Sequence, residues 1–197
     1  MNTDEEIKKL GETHARLVAE LSFKIWQGED FRQMIRFDGL SQTEQDRIFN
    51  ELEVTFIGLL IIHLESLKLQ NDSEKDKELL SAAQDVITRS FLNIYKELKI
   101  DQKNLNQWET LLGMRIAEYK RDFEALMNES RKMKEFKKNP DFKYIWARVE
   151  TLTLDGLSHI RRGKLDEKDP LRKYLQAAIV GLDRGFAENI RGFIAVS

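Results

Sequence analysis

Cysteine is absent from the chain, which removes disulfides, thiolate metal sites and cysteine nucleophiles in one step. Breakers are scarce: 2 prolines and 10 glycines in 197 residues. In a chain rich in Leu, Lys and Glu, that scarcity favours helix throughout. Neither sign of charge prevails, because 32 Lys and Arg face 34 Asp and Glu for a net charge of −2. No global field then draws a nucleic acid or an acidic membrane, and nucleic acid is not expected as a partner. Long apolar runs are missing as well. The charge-free stretch Val54 to Leu64 falls well short of the roughly 20 residues a spanning helix needs. The opening "MNTDEEIKKLGE" is acidic and amphipathic rather than basic then apolar, unlike a secretory signal, and a cytoplasmic location is expected.

Catalytic signatures are also missing. The sequence has no Walker loop, dinucleotide glycine fingerprint, His-Glu-x-x-His or Gly-x-Ser-x-Gly. No catalytic residue and no metal site is expected. "DEKDP", Asp166 to Pro170, has an acidic look, but Asp169 before Pro170 reads as a helix cap.

What is present is helical punctuation. Thr3 with Glu6 and Ser41 with Glu44 have capping-box spacing. "NDS" at Asn71 to Ser73 and Asp101 mark further breaks, and Asn139-Pro140 and Asp169-Pro170 each set a capping residue before a proline. Six long helices are predicted: 4–27 with an extension to 37, 42–70, 74–98, 103–136, 140–161 and 170–194. Each carries an apolar stripe at helical spacing, and none alternates at period two. The expectation is an all-α, single-domain bundle over residues 1–197. Gly28 is the one place where the first helix is expected to bend or break.

The second segment stands apart. Phe49, Leu52, Phe56, Leu59, Leu60, His63 and Leu67 share one face of a helical wheel, while Val54, Gly58, Ile61 and Ile62 make the middle of the opposite face apolar too. A helix apolar all round must be covered on more than one side, so 42–70 is predicted to be central, with Gly58 admitting a close neighbour. His63 sits in the middle of its stripe, as His14 does in the first. If the first helix runs unbroken to Phe37, the two imidazoles reach one level. If it breaks at Gly28, the spacing predicts an offset of roughly 12 Å and no meeting. Facing histidines suit haem ligation or a shared proton; apart, each is a core histidine bonded to a carbonyl or buried water. Neither has the Glu-x-x-His partner of a bundle di-iron site.

Two polar features and one small-residue strip complete the reading. Arg32, Arg36 and Arg47 crowd a single turn with Asp38, Asp46 and Glu51, as a site for an anionic ligand or as a solvated corner of weak ion pairs. The basic runs Arg131 to Lys138 and His159 to Lys164 fall near helix C-termini, where cations complement the macrodipole. In the last segment Ala178, Gly181, Gly185 and Gly192 line one strip beside an apolar face that includes Phe186 and Phe193. A glycine inside a helix costs about 1 kcal/mol relative to alanine. Close approach of another backbone is the expected compensation, from within the fold at Gly58 or from a second copy. The functional expectation is a non-enzymatic cytosolic protein acting through protein–protein contacts or self-association, without a cofactor. The alternative is a small-ligand or haem-binding bundle using His14 and His63, with Arg32, Arg36 or Arg47 near an anionic group.

Overall fold

The computed structural model describes the backbone of residues 3–196 and the side chains of residues 5–190. It is all helical. Seven α-helices follow in order: α1 (Thr3–Gln27), α2 (Glu29–Ile35), α3 (Gln42–Gln70), α4 (Glu74–Glu97), α5 (Gln102–Ser130), α6 (Phe142–Ile160) and α7 (Pro170–Val196), with 3₁₀ turns at Phe37–Gly39 and Lys134–Lys137. Helix starts follow capping chemistry. Ser41, Ser73 and Asp101 each accept the backbone N–H three residues on, filling donors the first turn leaves open. Asp169 accepts from the N–H of Leu171, with Pro170 the first helical residue. The Thr3 cap lies outside the residues whose side chains are described.

Helix α3 is the axis. Around it stand α1, α4, α5, α6 and α7 in a ring, each touching the next where described, with α2 bridging α1 and α7. Every residue of α3 from Glu51 to Leu64 is buried, which is why its apolar positions wrap all round. Full burial of each Leu, Ile or Phe there stabilises by roughly 1.5–3 kcal/mol. Gly58 is closely approached as its spacing predicts, and the neighbour is the Tyr119 ring of α5. A Cβ built at Gly58 would stand 2.5 Å from Tyr119 Cδ2.

Several boundaries and faces differ from expectation. Helix α5 ends at Ser130, not 136, because the chain turns so that Phe136 packs on the rings of Phe142 and Trp146. Helix α6 starts at Phe142, two residues after Pro140, with no side-chain cap. Not every apolar residue at helical spacing is covered: Phe142, Ile145 and Leu17 are exposed. The extension of α1 breaks at Gly28, as the glycine predicts, and α2 runs separately to Ile35. Arg36 then takes a left-handed conformation with φ of 56° and caps α2.

Candidate functional site

His14 and His63 are both buried, and the break at Gly28 does not separate their levels. Each packs edge-on against Phe186 of α7, with ring centroids 4.7 and 5.1 Å away. The expected offset is absent because the end of α1 packs against α3 at Phe49, well past Gln42. Trp26 touches Phe49 there, and from that level the stretches to His14 and to His63 are nearly equal. Phe186 is the ring that both histidines share, and the Nδ1 of each is already engaged within the fold, by Leu10 O for His14 and by Asp183 for His63. The His14 Nδ1–H donates to Leu10 O at 2.8 Å, and its buried Nε2 has no hydrogen-bond partner. Burial pushes the His14 pKa down.

His63 belongs to a polar cluster that sequence reading missed. Its Nδ1–H donates to Asp183 Oδ1 at 2.7 Å. Both oxygens of Asp183 are also taken by Arg148, whose Nη1 reaches Ser66 Oγ. Arg148 and Asp183 are 5% exposed. His63 and Arg148 donate to a carboxylate whose burial alone would raise its pKa, and the net effect holds Asp183 below its ordinary value. Among the described residues, no group of three or more His, Asp or Glu side chains is placed to hold a metal ion. No helix there is long and apolar enough to cross a membrane.

The arginine corner divides in two. Arg32 lays its guanidinium 3.7 Å over the Phe37 ring, and with the exposed Arg36 it lines a shallow hollow of about 500 Å³ beside Glu29 and Asp38. Arg47 does not join them. It donates to the carbonyls of His159 and Ile160 and pairs with Glu44, closing the C-terminus of α6. Glu44 is held down to about 2 by Arg162 and Arg47. The three arginines therefore do not converge on one ligand.

The glycine strip of α7 also departs from expectation. Around Gly181 and Gly185 an added Cβ would meet nothing within 4 Å, and Gly58 faces Tyr119, so the strip is not what docks α7. Leu171, Leu175, Ile179, Leu182, Phe186 and Ile190 do that. Ala178 is partly buried against the core. Asn189 is exposed and donates to Gly185 O one turn back. Gly192 and Phe193 lie outside the residues whose surroundings are described.

An apolar concavity lies elsewhere, between the end of α1, the start of α3 and the end of α4. It holds about 490 Å³ and is walled by Phe23, Trp26, Phe49, Ile94, Tyr95 and Leu98. Phe23 is 53% and Leu98 66% exposed, so two large apolar groups stand in water at its mouth. Glu20 and Asp46 lie on the rim, and Glu53 lies at the base. Glu53 is 3% exposed and accepts a hydrogen bond from the Tyr95 hydroxyl. Burial pushes the Glu53 carboxyl up to about 7, which the Tyr95 bond only partly offsets; burial and that same carboxylate push the Tyr95 hydroxyl up as well. A pocket of roughly 300–1,000 Å³ with apolar walls, a few polar groups and a perturbed carboxyl is the usual form of a binding site. The sequence signal was Glu53 itself, the charge immediately before the run that begins at Val54.

Fold and surface together define an all-helical bundle with a buried central helix and an open apolar groove. No known family matches the chain, and no curated protein or solved structure matches it either.

Proposed function

We propose that this chain is a non-enzymatic cytosolic protein that acts through protein–protein contacts, and that the groove between α1, α3 and α4 receives an apolar segment of its partner. The observation that carries the reading is the exposure of Phe23 and Leu98 above a floor of Trp26, Phe49, Ile94 and Tyr95. Single exposed apolar residues are ordinary, but a concave cluster of them marks a contact surface. The aromatic lining matches the residue types that dominate interface energetics. The groove is sized for a few side chains, so a short segment fits better than a whole domain face.

The test is a titration with 4-phenylbutanol, a neutral apolar probe, followed by NMR at the Trp26 indole and the Ile94 and Leu98 methyls. Saturable shifts confined to these groups are expected. Shifts absent there, or spread evenly over the molecule, overturn the reading. A benzophenone side chain placed at position 23 should then crosslink a discrete protein, while the same group at the exposed position 142 does not.

A second copy of the chain, seated on α7 and not in the groove, is the other partner that an observation favours. Gly181 and Gly185 stand clear of the fold, so their helical cost is not compensated within it. Light scattering over a range of concentrations decides this point, because a strictly monomeric mass removes self-association.

A further inference from the structure

We propose that the groove selects a cation carried on an apolar arm, the ammonium or guanidinium of a lysine or arginine in the partner's docking segment, seated between Glu53 at the base and Glu20 and Asp46 at the rim. The inference rests on the docking reading above and names the chemistry of the occupant.

Three observations converge on it. The first is the sign of the lining. Glu20, Asp46 and Glu53 contribute carboxylates, and no Lys, Arg or His lines the groove. In a chain where basic and acidic residues are almost equal in number, this one-signed lining is a local property.

The second is the state of Glu53. Three acidic residues are buried among the described residues: Glu51, Glu53 and Asp183. Glu51 is held by Arg115 through both oxygens, and Asp183 is held by Arg148 in the same way. Glu53 has the Tyr95 hydroxyl and no cation. Buried acidic residues are almost always paired, and Glu53 is the one of the three that lines the groove. A cation arriving there keeps the carboxylate ionised and restores the pairing that the other two already have.

The third is the wall. Trp26, Phe49, Tyr95 and Phe23 present aromatic rings around the approach to Glu53. Aromatic faces attract cations within about 6 Å of the ring, and they take up the methylenes of a lysine or arginine stem, which bury along apolar surface while the head stays polar. Apolar wall and acidic base thus recognise two parts of one side chain. An anionic or purely apolar segment satisfies only the wall.

The experiment compares 4-phenylbutylamine, 4-phenylbutanol and 4-phenylbutyrate, which share one apolar body and differ in the head group. Each is titrated into the full chain and into Glu53→Gln, with the Trp26 indole resonance as the readout. The amine is expected to bind about tenfold more tightly than the alcohol, as one charge-assisted hydrogen bond allows, and the butyrate most weakly. In Glu53→Gln the advantage of the amine over the alcohol should largely disappear. Asp46→Asn and Glu20→Gln, both exposed on the rim, keep the test open should Glu53→Gln misfold, and each should lower the amine's affinity by a smaller factor. Equal binding of amine and alcohol by the natural chain overturns the cation inference and leaves the docking reading standing. If none of the three probes moves the Trp26 resonance, the docking reading falls and the cation inference falls with it.

Discussion

The guanidinium of Arg148 grips both carboxylate oxygens of Asp183 in the interior between α6 and α7, Nε to Oδ1 at 2.6 Å and Nη2 to Oδ2 at 2.8 Å. Removing one partner of such a pair leaves an uncompensated buried charge. Arg148→Met is therefore expected to destabilise the fold by about 3–5 kcal/mol. The double variant Arg148→Met/Asp183→Leu should be less destabilised than Arg148→Met alone, since no buried charge is then left unpaired. Urea denaturation of the natural chain and both variants measures the difference, and a double variant less stable than Arg148→Met would contradict the account.

The two core histidines should behave oppositely when replaced by leucine. His63 donates to Asp183, so His63→Leu strips a bond from a buried carboxylate and should cost about 1–3 kcal/mol. His14 donates only to a carbonyl of its own helix, and its Nε2 is buried without a partner. His14→Leu removes that orphan and should be neutral or stabilising. Thermal melts of the two variants give the comparison; equal losses would remove the distinction.

Glycine in α3 and glycine in α7 should also part company. A methyl at Gly58 would stand 2.5 and 2.6 Å from two ring atoms of Tyr119 and 3.3 Å from Leu152 Cδ1. Gly58→Ala is expected to destabilise by roughly 1–3 kcal/mol through overpacking. Gly181→Ala and Gly185→Ala meet open space and should each stabilise by up to about 1 kcal/mol through helix propensity. A melting temperature that falls for either α7 variant would show that the strip is covered in the protein as it exists in solution.

Stability should carry a signature of Glu53. Its carboxyl titrates near 4.5 in the unfolded chain and is raised to about 7 in the fold, chiefly by burial. Between those values the folded state keeps a proton that the unfolded state has lost. The stability this group contributes is thus fully present below 4.5 and is lost as pH rises through about 7. Glu53→Gln keeps a neutral side chain able to accept from Tyr95. Relative to the natural chain it should gain roughly 3 kcal/mol across that window and hold a constant lead above it. Asp155, raised to about 7 by burial and by the nearby Asp122 and Glu118, acts in the same direction. His14, pushed down by burial, acts in the opposite one. Both groups are common to the two proteins and cancel in the difference. Urea titrations at several pH values across the window supply the measurement, and parallel curves for the two proteins would refute the assignment.

Much of the architecture was legible in local patterns. The caps at Ser41, Ser73, Asp101 and Asp169 work within three residues, so spacing along the chain contains all the information they need. The burial of α3 is equally local in its signal, because apolar residues all round a helix require neighbours all round it. The break of α1 falls at Gly28, which takes an ordinary extended conformation as the N-cap of α2. The misread ends of α5 and α6 have a distant cause: Phe136 closes on Trp146 and Phe142, and that contact outweighs the helical preference of the residues before it.

The polar interior was not legible. Arg148 and Asp183 lie 35 residues apart, and each taken alone looks like a surface charge on an amphipathic helix. Arg47 and Arg32 share a turn in sequence but end on different surfaces, since the carbonyls Arg47 caps come from a helix more than a hundred residues on. The sequence by itself determined the helical class, most helix starts and the central place of α3, because these follow from periodicity and capping over a few residues. Only the tertiary structure decided that His14 and His63 meet at Phe186, that Asp183 holds a guanidinium and a histidine, and that Glu53 faces an aromatic groove without a cation. Those relationships depend on which turns of different helices come level, and that is set by side-chain packing between segments far apart in sequence, as where Trp26 meets Phe49.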